Sequence, residues 1–127
     1  MHFILNNEDV SMNNIIETKS LEFAVRIVNL YKYLIENHKE YVLSKQTLRS
    51  GTSIGANVSE AQYAQSKADF VAKINIALKE SNETKYWLTL LHKTEYINGE
   101  QYDSLLNDIN ELISILMTIC KTSNSNK

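Results

Sequence analysis

Leu48-Arg49-Ser50-Gly51-Thr52-Ser53-Ile54-Gly55-Ala56-Asn57-Val58-Ser59-Glu60-Ala61 reads as one helix with more small residues than an ordinary helix carries. Leu48, Gly51, Ile54, Gly55, Val58 and Ala61 recur at three- and four-residue steps, so they share one face. A glycine inside a helix costs about 1 kcal/mol relative to alanine. Two glycines placed one turn apart therefore call for a compensating gain. Close approach supplies it, because without a Cβ at Gly51 and Gly55 another helix can pack on this backbone. The stretch predicts the central helix of a bundle.

The rest of the chain fits around that helix. After a turn at Gln65-Ser66, a third helix is expected from about Lys67 to Lys93. Phe70, Ile74, Ala77, Ser81, Thr84, Leu88 and Leu91 form a four-three seam along it. Ala77 and Ser81 keep the middle of that seam narrow, level with the small residues of the second helix, so Gly51, Gly55, Ala77 and Ser81 are the expected positions of close helix packing. Ser66 and Asp69 have the spacing of a capping box. Asn98 and Gln101 have it again, ahead of a fourth helix expected from about Glu100 to Lys121, with Tyr102, Leu105, Ile109, Leu112, Leu116 and Ile119 as its seam.

The first helix is expected from about Ser20 to Asn37. It carries two apolar stripes, Phe23, Ile27, Leu30 and Leu34 on one side and Leu21, Ala24, Val28, Tyr31 and Ile35 on another. One stripe serves a bundle core, so the second points to a partner chain. Short connections make neighbouring helices antiparallel. The expected architecture is an all-α, up-down-up-down four-helix bundle over residues 18–121. Residues 1–17 show no sustained period and are expected as a flexible N-terminal arm, and residues 122–127 as a disordered polar tail.

Composition narrows the function classes. The 127 residues suit one domain, and the absence of proline permits long helices. The formal net charge of -2 does not by itself point to nucleic acid or membrane. Between Lys19 and Arg49, however, Lys19, Arg26, Lys32, Lys39, Lys45 and Arg49 outnumber the acids Glu22, Glu36 and Glu40. Nucleic-acid binding through this stretch is the alternative reading. The single Cys120 excludes an internal disulfide and suits a reducing cytoplasm. No apolar run is long enough to span a bilayer, so no membrane partner is expected.

The sequence shows no catalytic pattern. None of His2, His38 and His92 follows a glutamate by three residues, as a di-iron bundle requires. Gly51 and Gly55 lack the Gly-Lys-Ser/Thr ending of a phosphate loop. Cys120 falls within the apolar period of the fourth helix and reads as a buried thiol. No cofactor or metal ligand set is expected, and the chain reads as a non-enzyme. One polar group stands out, Arg49, Asn57, Glu80 and Glu83. Read functionally it is a ligand or acid–base site. Read structurally, the preferred way, it is a buried ion-pair network that fixes the register of the second helix on the third.

Ser20-Leu21-Glu22-Phe23-Ala24-Val25-Arg26-Ile27-Val28, then Leu48 to Ala61, then Ser66-Lys67-Ala68-Asp69-Phe70 and Ile76-Ala77-Leu78-Lys79-Glu80-Ser81-Asn82-Glu83-Thr84, resemble a bacterial family. It is the four-helix-bundle family of proteins encoded within intervening sequences of 23S ribosomal RNA genes. The resemblance covers about residues 14–120. It implies a cytoplasmic homopentamer with no assigned activity. A relative of the same shape is the accessory protein of diversity-generating retroelements, which binds a reverse transcriptase and nucleic acid. That relative is strongly basic, and this chain departs from it. The expected function is a non-catalytic oligomeric scaffold or accessory protein. The alternative is an RNA- or DNA-binding accessory protein acting with a reverse transcriptase or ribosomal RNA.

Overall fold

The computed structural model of the chain describes residues 7–125. They form four helices, α1 (Asn7–His38), α2 (Leu43–Ala61), α3 (Lys67–Lys93) and α4 (Gly99–Ser125). Each packs on two neighbours, α1 on α2 and α4, and α3 on α2 and α4. Numbering runs in opposite senses across every seam. Arg49 of α2 reaches Glu83 of α3, while Glu60 lies 4.0 Å from Lys73. Lys19 pairs with Glu111 and Arg26 with Asp108 across α1 and α4. The fold is the antiparallel all-α bundle that the periodicities imply.

The core is built from the four seams. Phe23, Ile27 and Leu34 of α1, Ile54 and Val58 of α2, Phe70, Ile74, Leu88 and Leu91 of α3, and Ile109, Leu112 and Leu116 of α4 are all buried. No helix among the described residues is long and apolar enough to cross a membrane.

Both chain ends depart from expectation. Residues 1–6, part of the expected arm, lie outside the described residues. From Asn7 onward the arm is instead the first turns of α1. Ile16 is fully buried, and so is most of Asn13. The Asn13 and Gln62 side-chain amides donate to each other's oxygens at 2.5 and 3.0 Å, tying the start of α1 to the end of α2. The core stripe thus continues backward through Ile16 and Asn13, and a polar Asn in it hides the period. At the other end, residues 122–125 of the expected tail belong to α4, and Ser123 is buried. Residues 126–127 lie outside the described residues.

The connections are set by local chemistry. Ser66 caps α3 by accepting from the Asp69 N–H at 3.1 Å. The Asp69 carboxylate returns the bond to the N–H of Gln65, one residue before the cap, at 3.2 Å. Asn98 and Gln101 form the full reciprocal box, each side-chain oxygen accepting from the other's N–H at 2.8 Å. At the end of α3, Tyr96 N–H bonds the Leu91 carbonyl and Glu95 N–H the His92 carbonyl. That pattern places Glu95 where glycine usually sits, with φ of 68°.

Candidate functional site

Arg49 leaves α2 on the side facing α3, level with positions 80 and 83 because the chain turns back near Ser66. Its Nη1 donates to Glu80 Oε2 at 3.3 Å and its Nη2 to Glu83 Oε2. Gln46, one turn before Arg49, accepts from Nε at 3.4 Å. Trp87, one turn after Glu83, donates its indole N–H to the same Glu83 oxygen at 2.9 Å. The Trp87 hydrogen bond, outweighing the opposing effect of burial and joined by the Arg49 guanidinium, holds the Glu83 carboxyl below its ordinary range.

The expected network is corrected in two respects. It is not buried, since the Arg49 side chain is 51% exposed and that of Glu83 32%. Asn57 does not join it either. Its amide donates to the Ser53 carbonyl at 2.9 Å and to Ser53 Oγ at 3.1 Å, two turns further along α2. The buried polar link between α2 and α3 is instead Thr84 Oγ1 donating to Ser50 Oγ at 2.9 Å. Sequence reasoning missed Gln46 and Trp87, although each stands at a helical-turn spacing from a member of the group.

The small residues serve two different seams. A Cβ built on Gly51 would lie 2.8 Å from both Cγ atoms of Ile27, and one on Gly55 would lie 3.3 Å from the Ser20 carbonyl oxygen. Both glycines therefore let α1, not α3, approach the α2 backbone. Ala77 and Ser81 are fully buried on α3, where Ser81 Oγ donates to the Ala77 carbonyl at 2.8 Å.

Other reactive groups are engaged. The Cys120 thiol is buried beside Asn75 Oδ1 at 3.2 Å, and burial pushes its pKa up, away from thiolate chemistry. His38 sits edge-on to Tyr33 and Tyr96, and His92 stacks on Tyr102. No cluster of three metal-ligating side chains occurs among the described residues. Of the six cations between positions 19 and 49, Lys19, Arg26 and Arg49 are paired with acids of α4 or α3.

Among the described residues, one side of α1 carries exposed apolar side chains. Leu21 is 67% and Val25 55% exposed on the side of α1 turned away from the core, with Val10 and Val28 in the same line. Ala24, Tyr31 and Ile35, expected in this second stripe, are partly covered. The stripe therefore shifts toward Val25, which sequence reasoning left out. Beside it, Leu21 and Ala24 join Thr52, Gly55, Ala56 and Ser59 of α2 around an apolar groove of about 400 Å³.

The sequence profile described as 23S rRNA-intervening sequence protein matches residues 12–118. The chain belongs to this family. The match begins within the first turns of α1 and ends within α4, so it spans the whole bundle. The crystal structure of a protein with unknown function from the S23 ribosomal protein family of Bacteroides thetaiotaomicron is 63% identical. The similarity covers 87% of this chain and 98% of that one, with a TM-score of 0.86. No curated protein matches the chain significantly. For this member of the 23S rRNA-intervening sequence proteins, the described residues offer the partly exposed Arg49–Glu80–Glu83 group and the exposed apolar side chains on the outward face of α1.

Proposed function

We propose that this 23S rRNA-intervening sequence protein is a non-catalytic scaffold of the cytoplasm that assembles as a homopentamer. The observation that carries the reading is the outward face of α1, where Leu21 and Val25 are more than half exposed and in line with Val10 and Val28. Large apolar side chains exposed side by side on one helix face, as Leu21, Val25 and Val28 are, mark an association surface. The groove shared with α2 gives a second copy a concave surface to enter. The pentamer itself rests on the family resemblance. A scaffold role also suits the site chemistry, since Arg49, Glu80 and Glu83 satisfy one another and Cys120 is a buried neutral thiol.

The alternative, an accessory protein bound to nucleic acid and akin to that of diversity-generating retroelements, drew on the basic excess between Lys19 and Arg49. Half of those cations are neutralised within the protomer, and that stretch is not the surface we favour for it. Light scattering tests the scaffold reading. The expected mass is about five times the 14.6 kDa of the protomer. A concentration-independent mass of 14.6 kDa would contradict it.

A further inference from the structure

The ion pairs redistribute the charge of α3. Between Phe70 and Lys93 its only acids are Glu80 and Glu83, and both lean toward α2, where Arg49 binds them. On the side of α3 opposite the buried Ala77, Ser81, Thr84, Leu88 and Leu91, the positions Lys79, Asn82, Tyr86 and Lys93 recur at helical steps, with Lys85 beside them. All five are exposed. Lys79, Lys85 and Lys93 form no ion pair among the described residues, although Lys79 also favours the charge of Glu83 one turn away.

The same face carries an aromatic ring. Tyr86 is 60% exposed and meets Trp87 edge-on, with ring centroids 5.1 Å apart and planes at 76°. Trp87 is itself held by Glu83. The Tyr86 side chain is thus in contact with Trp87 and otherwise largely exposed. From Lys79 to Lys93 the helix rises about 21 Å. Cations along such a track with an open ring between them match a phosphate backbone with stacking bases, the combination by which single strands are bound without sequence preference.

We propose that the outward face of α3, formed by Lys79, Asn82, Lys85, Tyr86 and Lys93, binds single-stranded nucleic acid, the lysines taking phosphates and Tyr86 stacking on a base. The site lies on a different helix from the self-association face of α1, so it stands or falls independently of the scaffold reading. In an assembly each copy contributes one such face.

The test is fluorescence anisotropy of the full chain with a labelled single-stranded RNA, the DNA of the same sequence, and duplex DNA, across a range of salt. Both single strands are expected to bind at low salt and to weaken as salt rises. The combined Lys79→Gln, Lys85→Gln, Lys93→Gln variant should flatten the salt dependence by about 2 in the log–log slope. Tyr86→Ala should weaken single-strand binding about 10-fold. The combined Lys32→Gln, Lys39→Gln, Lys45→Gln variant, which removes as many charges from α1, α2 and the connection between them, should bind as the parent does. Circular dichroism checks that each variant keeps its helices. No binding at low salt, equal losses from both triple variants, or tighter binding of duplex than of single strands would each overturn the proposal.

Discussion

α1 meets its two neighbours by opposite means. Against α2 it lies on a backbone stripped of side chains at Gly51 and Gly55, so that Ile27 and the Ser20 carbonyl touch the helix itself. Against α4 it stands off. Lys19 and Arg26 bridge to Glu111 and Asp108 at 3.0 and 2.6 Å. At Gly51 the first seam depends on shape, in a buried contact where a single methyl group is felt. The second depends on half-exposed charges, which contribute little. The difference teaches where this chain is intolerant of change and where it can be altered freely.

Gly51→Leu should break the tight seam outright. Leucine gains under about 1 kcal/mol in helix propensity, but its side chain enters space already filled by Ile27. Ile27 is fully buried and, being β-branched, is held to one strongly preferred χ1 rotamer in a helix. A loss of about 3 kcal/mol or more in urea unfolding is expected. Gly51→Ala should still cost about 1 kcal/mol, since even its Cβ would sit 2.8 Å from two atoms of Ile27. Gly55→Ala should be close to neutral, because a contact of 3.3 Å needs only a small shift and propensity offsets it. If Gly51→Ala and Gly55→Ala melt alike, the tight seam is not centred on Gly51.

The connection from α1 to α2 adds a pH-dependent element to the same side. The Glu40 carboxylate accepts the N–H groups of Val42, Leu43 and Ser44 at 3.2, 3.0 and 2.7 Å, capping α2. Burial pushes its pKa up, but the Ser44, Leu43 and Val42 N–H groups outweigh that and hold it below the ordinary carboxylate range. A carboxyl depressed on folding contributes stability above its unfolded pKa and loses it as pH falls through the folded value. Glu40→Ala should therefore cost about 0.5–2 kcal/mol at neutral pH, and the gap to the parent should close as pH falls below 4.5. Thermal melts across that range check it, and a gap independent of pH would show that the carboxylate charge plays no part.

The loose seam should give the smallest effect. Arg26→Ala and Asp108→Ala, alone and together, should yield a coupling of about 0.2–1 kcal/mol that shrinks as salt is added. A coupling as large as the Gly51→Leu loss would erase the contrast between the two seams.

The architecture was legible because each helix carries a four-three seam of mostly apolar and small residues and two of the three connections carry capping residues. What could not be read depends on partners distant in the chain. Asn13 looks like a break in the α1 period until Gln62, brought beside it by the fold, satisfies its amide. The glycine stripe announced a close contact but could not name the helix that fills it. The Arg49 group was legible from antiparallel register alone. Its exposure was not, because burial depends on what covers a seam from outside. Glu40 gave no local signal, as it caps from before the turn and not from the usual N-cap position.

The central claim is that the outward face of α1 holds copies of this chain together. Light scattering on Leu21→Glu combined with Val25→Glu tests it most directly, with the parent measured alongside. Both side chains already face water in the protomer, at 67% and 55% exposure, so the substitutions should leave the helical circular dichroism unchanged. The account predicts that the parent runs as an assembly and the variant as a folded protomer of 14.6 kDa. A folded variant that keeps the full mass of the parent assembly, or a parent that is itself a monomer at every concentration, would contradict it.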